Sequence, residues 1–159
     1  MAKRDLKAFM RESAKNDEII TTPGPDTIKD ADGNVVMLEI KVLSQLTIQK
    51  INENYTKRSI ALDKQGNPFV ANREVAFSTE RDDRRASRHI MVEALVYPDL
   101  RDKELMAFYD CHDITEMPLK VFPRPNEFSH VSRAVMAALG IISAPEQEEK
   151  ETLLEEAKN

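Results

Sequence analysis

The chain has 159 residues, of which 41% are hydrophobic and 32% charged, and its formal net charge is −5. This length predicts one domain with a modest core, and no apolar run is long enough to span a membrane. One cysteine excludes an internal disulfide, and the N-terminus lacks the apolar segment of a signal peptide. These features predict a cytoplasmic protein with no membrane partner.

The N-terminal segment, residues 1–17, is predicted to be an arm or a short helix. Leu6, Phe9 and Met10 fall on one helical face there. Chain ends are ordered mainly where they dock, so no packed position is predicted for this segment.

Residues 18–43 predict a β-hairpin. The second strand shows a period of two that is typical of a half-buried strand, because one set of side chains alternates with another: Val36, Leu38, Ile40 and Val42 against Met37, Glu39 and Lys41. Asp32-Gly33 is a strong turn signal before it. The first strand begins at Ile19 and is predicted to be a short edge strand, because prolines follow it closely.

Two helices are predicted in the middle of the chain. Ser44 is the expected N-cap of the first, which runs to about residue 57. Residues 59–77 then predict a loop or a small second hairpin. Ser78 and Thr79 are the expected N-caps of a central helix that ends at Pro98, because proline cannot continue the hydrogen-bond ladder.

The C-terminal half predicts three more helices. Asp99 or Asp102 is expected to cap the first, and Asp113 the second. The third covers residues 126–139, and Gly140 follows it at the position of a left-handed C-cap.

Together these elements predict an α+β fold, in which a small N-terminal antiparallel β-hairpin packs on a mainly helical bundle. The single domain is predicted to cover residues 18–142. Residues 143–159 form an acidic, helix-prone tail in this interpretation.

The most reactive-looking residues are Cys111 and His112. A zinc site needs about four ligands, and no second cluster exists, because His89 and His130 are isolated in the sequence. A Cys/His nucleophile also needs an orienting group. We therefore predict no catalytic residue, no metal and no cofactor, although a hydrolase or metalloprotein built on this pair remains an alternative.

Four arginines, at positions 81, 84, 85 and 88, lie on one face of the predicted central helix. This face predicts either a charged partner-binding surface or a phosphate-binding patch. The alternative function is thus a small nucleic-acid-binding regulator that uses the Arg81–Arg88 face, although the acidic overall charge argues against it. Arg84, Arg85 and Arg88 are kept as predicted partner-binding residues.

The C-terminal helix has an apolar face, and two isoleucines follow the glycine. Such residues usually belong to a core, but in a chain of this size they can instead form a partner-binding groove. The predicted partner-binding residues of this region are Phe128, Val131, Val135, Leu139, Ile141 and Ile142.

Three motifs carry a family resemblance. The first is the corner Val96-Tyr97-Pro98-Asp99-Leu100, and the second contains Asp102, Glu104 and Leu105. The third is Pro125, Glu127 and Phe128, in a helix closed by Gly140. With these motifs the chain resembles the XkdN-like phage tail assembly chaperones of Gram-positive phages and prophages. It departs from them in residues 110–125, which carry additional prolines.

The resemblance implies a function that periodicity and spacing do not. Such a protein binds the tape measure protein and keeps it soluble until tail-tube subunits polymerise around it. The partners implied are the tape measure protein and the chaperone itself or a frameshifted longer form. The interpretation of the residues without the resemblance is compatible with this function, since helical apolar faces suit a protein that holds other helices.

Overall fold

The computed structural model describes residues 4–12 and 18–142. The contacts divide the chain into two units, the first formed by residues 1–43, 94–99 and 122–159, and the second by residues 44–93 and 100–121. The predicted tail, residues 143–159, lies outside the described residues. The predicted limits of a single domain remain a prediction.

The helices and strands follow one another in a mixed order. A 3-10 helix covers Leu6–Phe9, where the predicted N-terminal helix falls. In chain order the other elements are β1 (Ile19–Pro23), β2 (Met37–Lys41), α1 (Gln45–Asn54), β3 (Thr56–Ile60), β4 (Val70–Ala71), β5 (Glu74–Val75), β6 (Phe77–Arg81), α2 (Asp83–Ala94), β7 (Leu95–Tyr97), α3 (Lys103–Phe108), a 3-10 helix (Ile114–Glu116), α4 (Met117–Val121) and α5 (Pro125–Ala138).

The first unit is built on a three-stranded antiparallel sheet in the order β1-β2-β7. Leu38 and Ile40 of the central strand are buried, whereas Met37 is exposed, as the alternating pattern predicts. In the turn, the Asp30 carboxylate accepts hydrogen bonds from the amides of Asp32 and Asn34, each at 2.9 Å. The predicted hairpin is confirmed.

Helix α5 belongs to the same unit. Pro125 occupies its first turn, where the missing amide costs no hydrogen bond. The Thr27 hydroxyl donates a 2.6 Å hydrogen bond to the buried Glu127 carboxylate, which joins the helix to the segment after β1. The predicted helix is confirmed within one residue at each end, and Gly140 follows with a φ of 75°.

The helices of the second unit begin at polar caps. The Ser44 hydroxyl accepts from the Thr47 amide at 3.2 Å, and the Asp102 carboxylate accepts from the Leu105 amide at 3.0 Å. Asp113 caps the 3-10 helix that precedes α4. These predicted caps are confirmed, with Asp102 rather than Asp99 at the start of α3.

The predicted limits of the central helix were wrong at both ends. Ser78 and Thr79 lie in strand β6, and α2 begins after Asp82, whose carboxylate accepts from the Arg85 amide at 3.1 Å. Helix α2 ends at Ala94, because Leu95 enters the three-stranded sheet. In both places pairing with a distant strand overrides the local helical pattern.

Residues 56–81 form a long β-ribbon, which we call the ribbon. Its base is the antiparallel pair β3–β6, and its tip is the short pair β4–β5. This region was predicted as a loop or a small hairpin, and the hairpin interpretation is confirmed and extended. Between β3 and β4, residues 63–67 form a second turn of the first hairpin's kind, because the Asp63 carboxylate accepts from two amides and Gly66 has a φ of 82°.

The α+β fold class is confirmed: the described residues hold a small antiparallel sheet near the N-terminus and five α-helices. None of the helices in residues 4–12 and 18–142 combines the length and apolarity needed to cross a bilayer.

We predict that Gly24→Ala destabilises the protein. A Cβ atom at Gly24 would lie 2.6 Å from the backbone oxygen of Val36, which accepts the Gly24 amide hydrogen bond at 2.8 Å. The clash forces apart the chain segments next to the ends of β1 and β2, so the free energy of unfolding is expected to fall by about 1–3 kcal/mol in urea titrations. The control is Gly33→Asn, where space is open and the left-handed backbone suits asparagine. Equal stability of both variants would contradict this account.

Candidate partner-binding surfaces

Two arginines of α2 bind the polar segment 113–116. The Arg85 guanidinium donates to the Asp113 carboxylate at 2.7 Å and to the Thr115 hydroxyl at 3.2 Å. Arg88 donates to the Thr115 carbonyl oxygen at 2.8 Å, and its side chain is 17% exposed. It also faces the Glu116 carboxylate at 3.4 Å. Arginine suits this position because its planar fork donates to several acceptors at once.

These contacts engage most of the predicted basic face. Arg85 and Arg88 bind segment 113–116, and Arg81, which was predicted on the helix but lies in strand β6, pairs with Asp83. Arg84 is exposed and has no ion pair among the described residues. The structure therefore leaves less free positive charge on α2 than the sequence pattern suggests, which weakens the case for a phosphate-binding face.

Asp113 is the centre of this cluster. Its carboxylate accepts from the Thr115 hydroxyl at 2.7 Å and from the Thr115 amide at 2.9 Å. These hydrogen bonds, reinforced by the Arg85 charge, hold the pKa of Asp113 below its usual value. The folded state therefore favours the ionised form of the Asp113 carboxylate, which is the form that pairs with Arg85.

Cys111 and His112 do not form a common site. The Cys111 thiol is buried and donates to the Asp113 carbonyl oxygen at 3.2 Å. His112 is 93% exposed and faces Asp110 at 3.6 Å. In the described part of the chain, no group of three or more His, Cys, Asp or Glu side chains is arranged to hold a metal ion.

His89 is the partly buried histidine of the second unit. Its Nδ1 lies 2.7 Å from the Tyr55 hydroxyl, and the two rings meet edge to face. Burial, followed by the nearby charge of Arg101, lowers the pKa of His89. The neutral imidazole is thus the form that the folded state prefers, with the tyrosine hydroxyl as the natural donor.

The first unit has a groove between β1 and α5. Its volume is about 610 Å³, and Ile20, Ala134 and Ala137 are among the apolar residues that line it. His130 and Arg133 supply polar groups at the same groove, and the imidazole Nε2 of His130 lies 3.0 Å from the Pro23 carbonyl oxygen. Strand β1, which lines the groove, is an edge strand of the sheet and pairs with β2.

The predicted apolar residues of the C-terminal region occupy different environments. Val131 and Val135 are fully buried, so they contribute to the core of the first unit. Phe128 and Leu139 are half-buried, whereas Ile141 and Ile142 are exposed. The role of all six residues in partner binding remains a prediction. Only the four that are not buried are accessible to a partner.

An exposed apolar surface that the sequence did not predict lies on the ribbon. None of residues 56–81 is buried, although many are apolar. The large apolar side chains exposed there are Ile60, Leu62, Phe69, Val70, Val75 and Phe77. A signal was present, since Asp30-Ala-Asp-Gly-Asn recurs as Asp63-Lys-Gln-Gly-Asn, and the repeated turn pattern indicates a second hairpin.

Comparison with known proteins identifies the class. The family model of the phage XkdN-like tail assembly chaperone proteins matches residues 6–158, and the chain belongs to this family. The resemblance found in the sequence motifs is thereby confirmed. This is a family of chaperones for phage tail assembly rather than a known enzyme family, and membership indicates a protein partner in tail assembly.

Two individual proteins are similar to the chain. It is 26% identical over 155 residues to the phage-like element PBSX protein XkdN of Bacillus subtilis strain 168, covering 98% of this chain and 94% of that protein. The crystal structure of the protein yqbn matches with a TM-score of 0.64 at 22% identity, covering 87% of this chain and 98% of the other. The second likeness supports the fold.

We predict that Arg88→Ala destabilises the protein more than Arg84→Ala. Removal of Arg88 leaves the Thr115 carbonyl oxygen without its partly buried donor, at a cost of about 1–3 kcal/mol. Arg84 is exposed on the same helix, so its replacement is expected to change stability by less than about 0.5 kcal/mol. Urea titrations of both variants measure the difference, and equal losses would show that the contact with residue 115 contributes nothing.

We predict that His89 makes stability dependent on pH. Because the folded state lowers the pKa of His89, the unfolded state binds the proton more readily, and stability is lost as the pH falls through the folded-state pKa. Between about pH 7 and pH 5, the wild-type chain should therefore lose more stability than His89→Gln. The control is the exposed His112→Gln, which should follow the wild type. A wild-type slope retained in His89→Gln would exclude His89 as its source.

Proposed function

We propose that this protein binds the tape measure protein of its phage or prophage and keeps it soluble before the tail tube polymerises. The observation that carries the proposal is the match of the tail assembly chaperone family to nearly the whole chain, residues 6–158. A tape measure protein is long and helical, and it needs protection from aggregation until tube subunits surround it. On this proposal the protein acts in the cytoplasm of the host cell.

The described surface supports this proposal. A chaperone of this kind needs exposed apolar side chains, and large exposed apolar patches commonly mark interaction sites. The ribbon, the 3-10 helix at Leu6–Phe9 and residues 141–142 all expose such side chains. The nucleic-acid alternative gains no comparable support, because the arginines that suggested it are largely engaged within the chain.

The proposal is tested by co-expression with the tape measure protein encoded in the same genome. We expect a soluble complex when both are made together, and aggregated tape measure protein when it is made alone. Gel filtration with light scattering measures the complex and shows whether the chaperone also pairs with itself. A tape measure protein that is equally soluble and uncomplexed in both cases would overturn the proposal.

A further inference from the structure

The ribbon carries apolar residues, none of which is buried. Ile60 and Phe77 stand directly opposite each other in the β3–β6 register, and they are 48% and 53% exposed. Val70 and Val75 form a second opposed pair in β4–β5, also exposed. Opposed residues of antiparallel strands lie on the same face, so each pair presents a continuous apolar spot. Burial of such spots by a partner would release water and favour binding.

The charge of the ribbon differs from that of the chain. Residues 56–81 carry five basic and three acidic side chains, a net charge of +2, in a chain of net charge −5. Arg58, Lys64 and Arg73 have no ion pair among the described residues, in contrast to the arginines of α2 that bind segment 113–116. The guanidinium carbon of Arg58 lies 4.2 Å from the centre of the Phe77 ring, where it adjoins the Ile60–Phe77 spot.

We infer that the ribbon is the surface that holds the partner polypeptide, and that the bound segment combines apolar side chains with carboxylates. This inference rests on the proposed function and assigns the site for it. The apolar side chains of the segment cover the Ile60–Phe77 and Val70–Val75 pairs together with the exposed Leu62 and Phe69, while its carboxylates meet the free cations. Charge complementarity selects a segment that carries carboxylates, because the apolar spots alone do not distinguish one partner from another.

A protein occupant fits this surface better than nucleic acid does. Bases stack on open aromatic faces, but most of the exposed apolar side chains here are aliphatic, and Arg58 already lies over Phe77. A second copy of the chain is the other competing occupant. Both alternatives are included as outcomes of the test.

The test compares two double variants that make the same substitutions in different places. Leu62→Ser with Phe69→Ser alters the ribbon, and Leu46→Ser with Phe108→Ser alters exposed residues of α1 and α3. We expect the ribbon variant to bind a soluble fragment of the tape measure protein at least about tenfold more weakly than the wild type does, because apolar anchors dominate such interfaces. The control variant should bind within about twofold of the wild type, since isolated exposed residues contribute little. Calorimetry measures the affinities, and circular dichroism confirms that each variant folds.

A second pair of variants tests the charge. Lys64→Glu should weaken binding by about threefold or more at low salt and less at high salt, because exposed charges are screened. The control is Lys50→Glu, the same change on exposed α1, which should leave the affinity unchanged.

The outcomes separate this inference from the proposed function. A wild-type chain that fails to bind the tape measure protein overturns both. If the wild type binds and the ribbon variants bind equally well, the site assignment alone is wrong. It is also wrong if the ribbon variants disrupt duplex DNA binding, or a dimer of the chain, while tape measure binding stays unchanged.

Discussion

The hydrogen bonds from Arg85 and Arg88 to residues 113–116 are the interaction on which the helical part of the second unit depends. The 3-10 helix Ile114–Glu116 and helix α4 are each five residues or shorter, too short to be stable alone. Asp113 caps the start of this segment, and the two arginines fix it to α2. Thr115 is 1% exposed, and its hydrogen bonds to Asp113 and Arg85 compensate for the burial of its hydroxyl.

This arrangement also determines where positive charge remains available. A cation that is held by a carboxylate and a backbone carbonyl has little to offer a partner, because binding elsewhere would break its existing hydrogen bonds. Arg85 and Arg88 of α2 are held within the chain, whereas Arg58 lies on the exposed ring of Phe77. Arg85 and Arg88 therefore stabilise the fold, whereas the cations of the ribbon stay exposed. An acidic protein with a basic, apolar ribbon is well suited to hold an aggregation-prone partner without precipitating itself.

The sequence predicted those features that depend on nearby residues. Ser44, Asp102 and Asp113 were identified as caps because a cap bonds an amide two or three residues away. The hairpin turn at Asp30–Asn34 was predicted for the same reason. Ser78 and Thr79 also satisfy the local rule for a cap, but strand β6 pairs with residues 56–60, about twenty positions earlier, and that pairing decided their structure.

Contacts across long stretches of sequence could not be read in this way. Positions 85 and 88 were correctly placed on one helical face, but nothing in the local pattern indicated that their partners lie at positions 113–116. The same holds for Glu127, whose hydrogen bond from Thr27 spans a separation of 100 residues. The exposure of the ribbon was not predicted, because an apolar residue in a short strand gives the same sequence pattern whether it is buried or exposed.

The residues that carry the family resemblance show why the family was recognisable while its binding surface was not. Leu100 is fully buried, Asp102 caps α3, Glu127 is a buried acceptor and Gly140 has the positive φ that glycine favours. Each of these motif residues shapes the fold. None of the motifs falls in residues 56–81, so the features that identify the family and those proposed to hold its partner are carried by different parts of the chain. A binding surface of this kind requires apolar and charged character more than fixed geometry, and such character leaves no motif to find.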